Sequence, residues 1–254
     1  MKVVVITGAS SGIGAALARE LARRGGYALV LAARNEQRLQ SVAREVGRDA
    51  HVVTADVTRR ADVERIRDEA VKAFGRIDVW INNAGRGITR PVLELTDEDV
   101  DAMMAINVKS VLYGIQAIVP YFTQQASGHI INVSSFLGRV PLATFRSVYS
   151  AAKAAMNSLT ANLRVDLRRT HPDIKVSLVM PGIVSTEFAR NAIGGLPATP
   201  PAGAMQPQTA EQVAVVMADL IERPVPEVYT NPATAGIAKR YFEDIAAFEE
   251  AAPR

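Results

Sequence analysis

The sequence predicts an α/β fold: one doubly wound, parallel sheet of seven strands with helices on both faces. Three observations predict it. Short β-branched runs alternate with longer segments of helical period along the whole chain. Each short run is continuously apolar rather than alternating, as in strands covered on both faces. A glycine-rich turn joins the first run to the first helical segment. With 254 residues, one such unit buries a large core, so a single domain over residues 1–254 is expected.

Lys2 to Thr7 opens the chain as a β-branched strand, Ile13 to Arg24 follows with helical period, and Tyr27 to Ala33 returns to a strand, completing one βαβ unit. The alternation continues through a helix near Asn35 to Val46, a strand at Ala50 to Thr54, a helix near Arg59 to Phe74 and a strand at Asp78 to Asn82. A long helix is predicted near Asp97 to Phe122. Thr96 is placed to cap it, and Glu98 and Asp99 set negative charge against the positive end of its dipole. The strand His129 to Ser134 precedes a second long helix near Val148 to Thr170, whose Ala151, Ala155, Leu159 and Leu163 form an apolar face that is small in its first half. The strand Ile174 to Met180 ends at Pro181-Gly182. Asn191 to Ala210, uncharged and rich in Pro, Gly and Ala, reads as a mobile loop. A helix near Thr209 to Glu222, a strand at Glu227 to Thr230 and one tail helix near Ala235 to Glu250 finish the chain. Such a sheet binds its ligand at the carboxyl ends of its strands.

Composition excludes several classes. The balance of 29 basic and 26 acidic residues, a formal charge of +3, makes no nucleic-acid footprint. Without cysteine there is no disulfide, thiolate nucleophile or cysteine-held metal. His51, His129 and His171 lack ligand spacing and read as surface or strand-edge residues, so no metal is expected. The opening MKVVVITG leaves no room for a signal peptide, and Ser110 to Leu137 is too interrupted to span a membrane; a cytoplasmic protein without membrane contact is the expectation.

The turn Thr7-Gly8-Ala9-Ser10-Ser11-Gly12-Ile13-Gly14 has the strand-to-helix context that a dinucleotide-binding loop requires. Glycine lets a pyrophosphate approach backbone N–H groups at the helix N-terminus. After the second strand the chain reads Ala32-Ala33-Arg34-Asn35, with no acid to hold a ribose hydroxyl. The planar donor fork of Arg34 suits the extra phosphate of NADP, so NADP(H) is favoured and NAD(H) stays open.

The chain resembles the short-chain dehydrogenase/reductase family, in its standard-length branch with a TGxxxGxG turn, from residue 2 to about 190. The resemblance rests on Thr7 to Gly14, Asp56-Val57, Asn82-Asn83-Ala84-Gly85, Asn107, Ser134-Ser135, Tyr149-Ser150-Ala151-Ala152-Lys153, and Pro181-Gly182 with Thr186, each in the family's order and on the expected element. It implies a Rossmann-like fold and hydride transfer between a nicotinamide and a carbonyl or alcohol carbon. It implies that Tyr149 protonates the carbonyl oxygen, that Lys153 also holds the nicotinamide ribose, and that a serine hydroxyl stabilises the oxygen. Ser135 is the choice from the SSxxG pattern, with Ser134 as alternative. Asn107 is implied to organise a water chain feeding Lys153; otherwise it is a satisfied core amide. Gly8, Ser10, Ser11, Gly12, Ile13 and Gly14 would hold the pyrophosphate, and Asp56 and Val57 would contact the adenine, unless Asp56 is an ordinary turn residue. Asn83, Ala84 and Gly85 would line the adenosine ribose side. Pro181, Gly182, Val184 and Thr186 would lie at the nicotinamide, with Thr186 bonding its carboxamide.

Tyr149 and Lys153 are one helical turn apart, hence neighbours. At roughly 5 Å and an effective dielectric of about 20, an ammonium favours the phenolate by about 3 kcal/mol, or about 2 pKa units, so a lowered phenol is expected. Glu187 to Pro207, with Phe188, Ile193, Leu196 and Met205, is expected to cover an apolar ketone or alcohol. Arg86, Arg139 and Arg146 either meet an acidic substrate or are solvated charges, and the solvated reading is preferred. A homodimer or homotetramer packed through the long helices is expected. The stripe Ile237, Tyr241, Ile245 and Phe248 covers its own subunit, a neighbour or the substrate. Two other readings keep the fold: a nucleotide-sensing protein without chemistry, and an isomerase or dehydratase.

Overall fold

The computed structural model describes residues 1–47, 49–196 and 206–251. Its main sheet runs, in spatial order, β3 (Ala50–Thr54), β2 (Tyr27–Ala33), β1 (Lys2–Thr7), β4 (Val79–Asn82), β5 (Gly128–Val133), β6 (Ile174–Met180) and β9 (Glu227–Tyr229). All pairings are parallel, as the apolar strands predict. Two apolar layers cover it. On one face α1 (Gly12–Arg24), α2 (Glu36–Val46) and α7 (Ala210–Glu222) bury Leu17, Leu21, Leu39, Val213 and Met217. On the other, α3 (Arg60–Phe74), α5 (Ser110–Gln125) and α6 (Ser147–Thr170) bury Ile66, Ile118, Phe122, Met156 and Leu167. The chain works outward from β1 to β3 and then crosses to β4, so a crevice opens between the carboxyl ends of β1 and β4.

Three elements depart from expectation, each in its regularity rather than its place. The long helix over Asp97 to Phe122 is two helices, α4 (Asp97–Met104) and α5, joined by a π-helical segment at Ala105–Lys109. Thr96 caps α4 in a reciprocal capping box with Asp99. By length and apolarity the run Asp97–Gln125 would suffice to cross a membrane, but half of its most apolar window is buried within the fold. The tail is likewise two helices, α8 (Pro232–Glu243) and α9 (Ile245–Glu250). Asp244 leaves helical geometry between them and caps the second by accepting from Ala247 N. The segment read as a mobile loop lies at 197–205 outside the described residues. The flanks pair, β7 (Val184–Ser185) with β8 (Gln208–Thr209), a contact with no sequence signature at two residues per strand.

His129 is buried, not at a surface or strand edge. Its partner Ser177 Oγ donates to the Val225 carbonyl, so His129 Nε2 is the donor to Ser177 Oγ at 2.8 Å, and Nδ1 is a buried acceptor with no partner. Burial, aided by Lys2 and Lys175, pushes the ring down from 6.5 to about 4. Below its unfolded pKa the unfolded chain takes a proton that the fold refuses, so stability held above pH 6.5 is lost as pH falls toward 4. The loss is up to about 3 kcal/mol. Urea unfolding of His129→Gln, followed from about pH 7 to about pH 4.5, is expected to show a clearly flatter decline than the parent; parallel curves would dismiss this role for the imidazole.

Candidate active site

The opening glycine turn is built by close approach. Gly8 has φ +68°, and a Cβ there would stand 2.9 Å from Ala84 Cα; a Cβ on Gly14 would stand 2.5 Å from the Gly8 carbonyl oxygen. Thr7 ties this turn to the one after β4. Its Oγ1 donates to Ile81 O at 3.1 Å and accepts from Asn83 N at 3.0 Å and Ala84 N at 3.1 Å. Asn83 Nδ2 donates back to Thr7 O at 2.8 Å. Ser11 precedes α1 without a side-chain cap, and no acid lies in the helix's first turn. The first N–H groups of α1 therefore keep the positive dipole end available to an anion.

Ser10, Ser11, Gly12, Ile13, Arg34, Asp56, Val57, Asn83, Ala84, Gly85, Tyr149, Lys153, Pro181, Gly182, Val184 and Thr186 all line one continuous cleft of about 2590 Å³ with Gly8 and Ser135. Gly14 underlies it against Gly8, and Asn107 stands behind Gly85. Arg34 is exposed at the end of β2. The Asp56 carboxylate accepts from Thr58 N at 2.9 Å and Thr58 Oγ1 at 2.7 Å, so it does serve as a turn residue. Thr186 Oγ1 accepts from Phe188 N at 3.3 Å.

Tyr149 and Lys153 stand together on α6, 7% and 3% exposed, with Nζ 5.7 Å from the phenol ring centre. Lys153 Nζ donates to Val133 O at 3.0 Å. Asn107 sits in the π-helical segment, where the long helix leaves i→i−4 bonding. Its amide donates to Arg86 O at 2.9 Å and Met103 O at 3.2 Å and accepts from Arg86 N at 3.4 Å. Gly85 lets these groups converge, since a Cβ there would lie 3.0 Å from Asn107 Oδ1 and 3.5 Å from Lys153 Nζ. Both serines line the cleft; Ser134 Oγ donates to Asn157 Oδ1 at 2.5 Å on α6, and Ser135 Oγ accepts from Leu137 N at 3.1 Å, which leaves its proton for a further partner.

The expected lowering of the phenol is overturned. Burial pushes Tyr149 up to about 12, against the pull of the Ser135 hydroxyl and the Arg146 guanidinium. Burial likewise pushes Lys153 down to about 8. The spacing of two side chains is legible in a sequence, but the loss of water around both is not, and it sets the direction of both shifts.

This architecture has many counterparts. The family model described as short chain dehydrogenase matches residues 2–194. The chain belongs to the short-chain dehydrogenase/reductase family. It is similar to an uncharacterised oxidoreductase of Staphylococcus epidermidis, 41% identical over 185 residues that make up 73% of this chain and 79% of that one. Among solved structures it is similar to a short-chain dehydrogenase/reductase from Burkholderia phymatum in complex with NAD (TM-score 0.86, 29% identity, 97% of this chain and 94% of that one). It is also similar to an alcohol dehydrogenase from Thermococcus sibiricus complexed with 5-hydroxy-NADP (TM-score 0.78, 30% identity, 90% and 95%).

Within this short-chain dehydrogenase/reductase framework, three roles were not read from the sequence, although Thr7 and Asn82 stand inside its motifs. Thr7 is the hub joining two loops. A buried polar chain, Trp80 Nε1 to Asn82 Oδ1 (2.8 Å), Asn82 Nδ2 to Asn132 Oδ1 (2.8 Å) and Asn132 Nδ2 to Thr160 Oγ1 (2.9 Å), braces β4 and β5 against α6 behind Tyr149. Arg146 is 8% exposed, not solvated as expected; Arg139 pairs with Glu227 at 2.6 Å, and Arg86 is exposed with Nε on Asn191 O. The Phe188 and Tyr149 rings meet edge-on at 5.5 Å, Ile193 bridges to Ile88, Leu196 lines the cleft, and Met205 lies outside the described residues. Tyr241 and Phe248 of the tail pack on their own subunit with Phe136 and Val140, while Ile245 is exposed. Among the described residues, no cluster of three or more His, Asp and Glu side chains could hold a metal.

Proposed function

We propose that the chain is an NADP(H)-dependent oxidoreductase of ketoreductase type, with Tyr149 as its acid/base and a carbonyl or secondary alcohol as its small-molecule substrate. One observation carries the reading. A buried phenol, an ammonium and a serine hydroxyl converge on the cleft whose other end is the close-packed glycine turn. The turn fits a pyrophosphate because Gly8 and Gly14 leave no room for Cβ atoms and the N-terminus of α1 is free of acid. When bound, the dinucleotide supplies the hydride that reduces the carbonyl carbon.

The remaining steps belong to this chain. At neutral pH a phenol held near 12 is fully protonated, so Tyr149 Oη is a proton donor to the carbonyl oxygen as negative charge develops there. Ser135 stabilises that oxygen, and Lys153, still largely protonated below pH 8, offers its ammonium behind the phenol. Asn107, its amide spent on Arg86 and Met103, positions the backbone after Gly85 and with it the wall of the lysine pocket. Support for a homo-oligomer comes from the outer face of α6, where Val165 is 70% exposed.

Consumption of NADPH and of NADH with a panel of ketones and aldehydes, and their formation from NADP+ and NAD+ with secondary alcohols, tests the reading; a protein that turns over neither cofactor with any of them is not this enzyme. Arg34 supports the phosphate preference because it is exposed at the end of β2, without an ion pair among the described residues, in a turn Ala32-Ala33-Arg34-Asn35 that carries no acid. Arg34→Ala is expected to lower the ratio of NADPH to NADH efficiency by about 10-fold to 100-fold. An unchanged ratio would assign the preference elsewhere.

A further inference from the structure

Arg146 lies in the wall of the substrate half of the cleft, three residues before Tyr149, and nothing in the described fold neutralises it. Its Nη1 donates to the Ile88 carbonyl at 2.9 Å, and among the described residues no carboxylate lies within 4.0 Å of its guanidinium. Segment 197–205 contains no acidic residue that could supply one. A buried cation is costly unless it is paired, and arginine does not shed its proton. Holding one carbonyl needs one N–H; the fork carries five. The side chain precedes the first turn of the 24-residue helix α6, whose positive dipole end adds to its field.

The surroundings repeat the sign. Arg86, Arg190 and Arg240 line the same cleft without a carboxylate within that distance among the described residues. The acids nearby are already used: Glu187 pairs with Arg38 at 2.5 Å, Glu243 lies 3.8 Å from Lys239, and Asp244 caps α9. The substrate half therefore combines an apolar lining, including Phe188 set against Tyr149, with one buried, unneutralised guanidinium.

We propose that Arg146 is the anion anchor of the substrate pocket, and that the substrate is an oxo acid or hydroxy acid whose carboxylate sits on this fork while its apolar body lies along Phe188. The planar fork matches two coplanar carboxylate oxygens. The inference rests on the oxidoreductase reading above and names its substrate class. Arg146 is a specificity residue; a carboxylate held on it, three residues before the phenol, orients the carbonyl oxygen toward Tyr149 Oη.

The test compares α-oxo and β-oxo acids with their methyl esters in the wild-type protein and in Arg146→Met and Arg146→Lys. The wild type is expected to prefer the best acid over its ester by about 100-fold in kcat/KM, expressed mainly in KM. Arg146→Met should bring that preference to within about 3-fold, and Arg146→Lys should keep part of it. Dinucleotide affinity should not move. A wild type indifferent to esterification overturns the anchor while leaving the oxidoreductase reading intact, and a preference that survives in Arg146→Met does the same. If Arg146→Met does not fold, competitive inhibition of the wild type by butyrate but not by butyramide supports the anchor, and equal inhibition overturns it. If no substrate is turned over, the oxidoreductase reading fails by itself, and calorimetric titration of butyrate into wild type and Arg146→Lys decides whether the anion site exists.

Discussion

Tyr149→Phe is expected to lower kcat for carbonyl reduction by about 10²-fold to 10⁴-fold, the range of a single positioned general acid, while dinucleotide affinity stays within about 3-fold. The separation follows from where the hydroxyl points. The phenol ring is fixed by packing that phenylalanine reproduces: the Phe188 edge contact and the apolar cluster with Ile88, Met103 and Val148. Only the oxygen beside Ser135 is lost, and with it the proton that must reach the substrate oxygen as hydride arrives at carbon. Fluorescence titration of NADPH alongside steady-state rates separates binding from chemistry. Full turnover in the variant would remove Tyr149 from the mechanism.

The direction of the two pKa shifts adds a pH signature. A phenol raised to about 12 keeps its proton across the neutral range, so reduction should be flat there and decline above about pH 8 as Lys153 loses its charge. Alcohol oxidation needs the phenolate instead and should climb with pH from neutrality. Rate profiles in the two directions are therefore expected to diverge on the alkaline side.

How much of this was legible in the sequence differs by kind of feature. The seven strands and their order of appearance could be read because each is a short apolar run between helical segments, and burial on both faces demands that pattern. Tyr149, Lys153 and Ser135 could be placed on one cleft because motifs at strand ends share that edge. The π-helical segment at Ala105–Lys109 could not: the apolar stripe of Met103, Met104, Val108 and Val111 fits an ordinary helix equally well, and one shifted hydrogen bond leaves no mark on periodicity. Nor could the burial of Arg146 or His129, since charge and polarity argue for water until neighbouring loops close over them. The break at Asp244 carries a faint signal, an aspartate able to cap three residues ahead, but it competes with an apolar stripe running straight through it. Features set by tertiary desolvation were those the sequence concealed.

Gly14→Ala is the second large effect expected, and it tests whether the glycine turn is a dinucleotide seat or merely a tight corner. The added methyl would stand 2.5 Å from the Gly8 carbonyl oxygen and 2.7 Å from Asn83 Nδ2. Neither can retreat: the Gly8 turn is held by Asn83 Nδ2 on Thr7 O, and that asparagine is fixed in turn by its own N–H on Thr7 Oγ1. Helix α1 must therefore shift away from the turn, at a cost of about 3 kcal/mol by the usual range for overpacking. The same shift moves the N–H groups that would face the pyrophosphate, so NADPH affinity should fall by about 100-fold or more. Gly236→Ala supplies the opposite sign. Its Cβ would meet nothing within 4 Å, and it lies inside helix α8, so it should stabilise by about 0.5–1 kcal/mol with NADPH affinity unchanged. Thermal melts and NADPH titrations on the pair separate the two roles: a Gly14→Ala protein that is destabilised yet binds NADPH like the parent would mean that the turn serves packing alone and that the dinucleotide is held elsewhere.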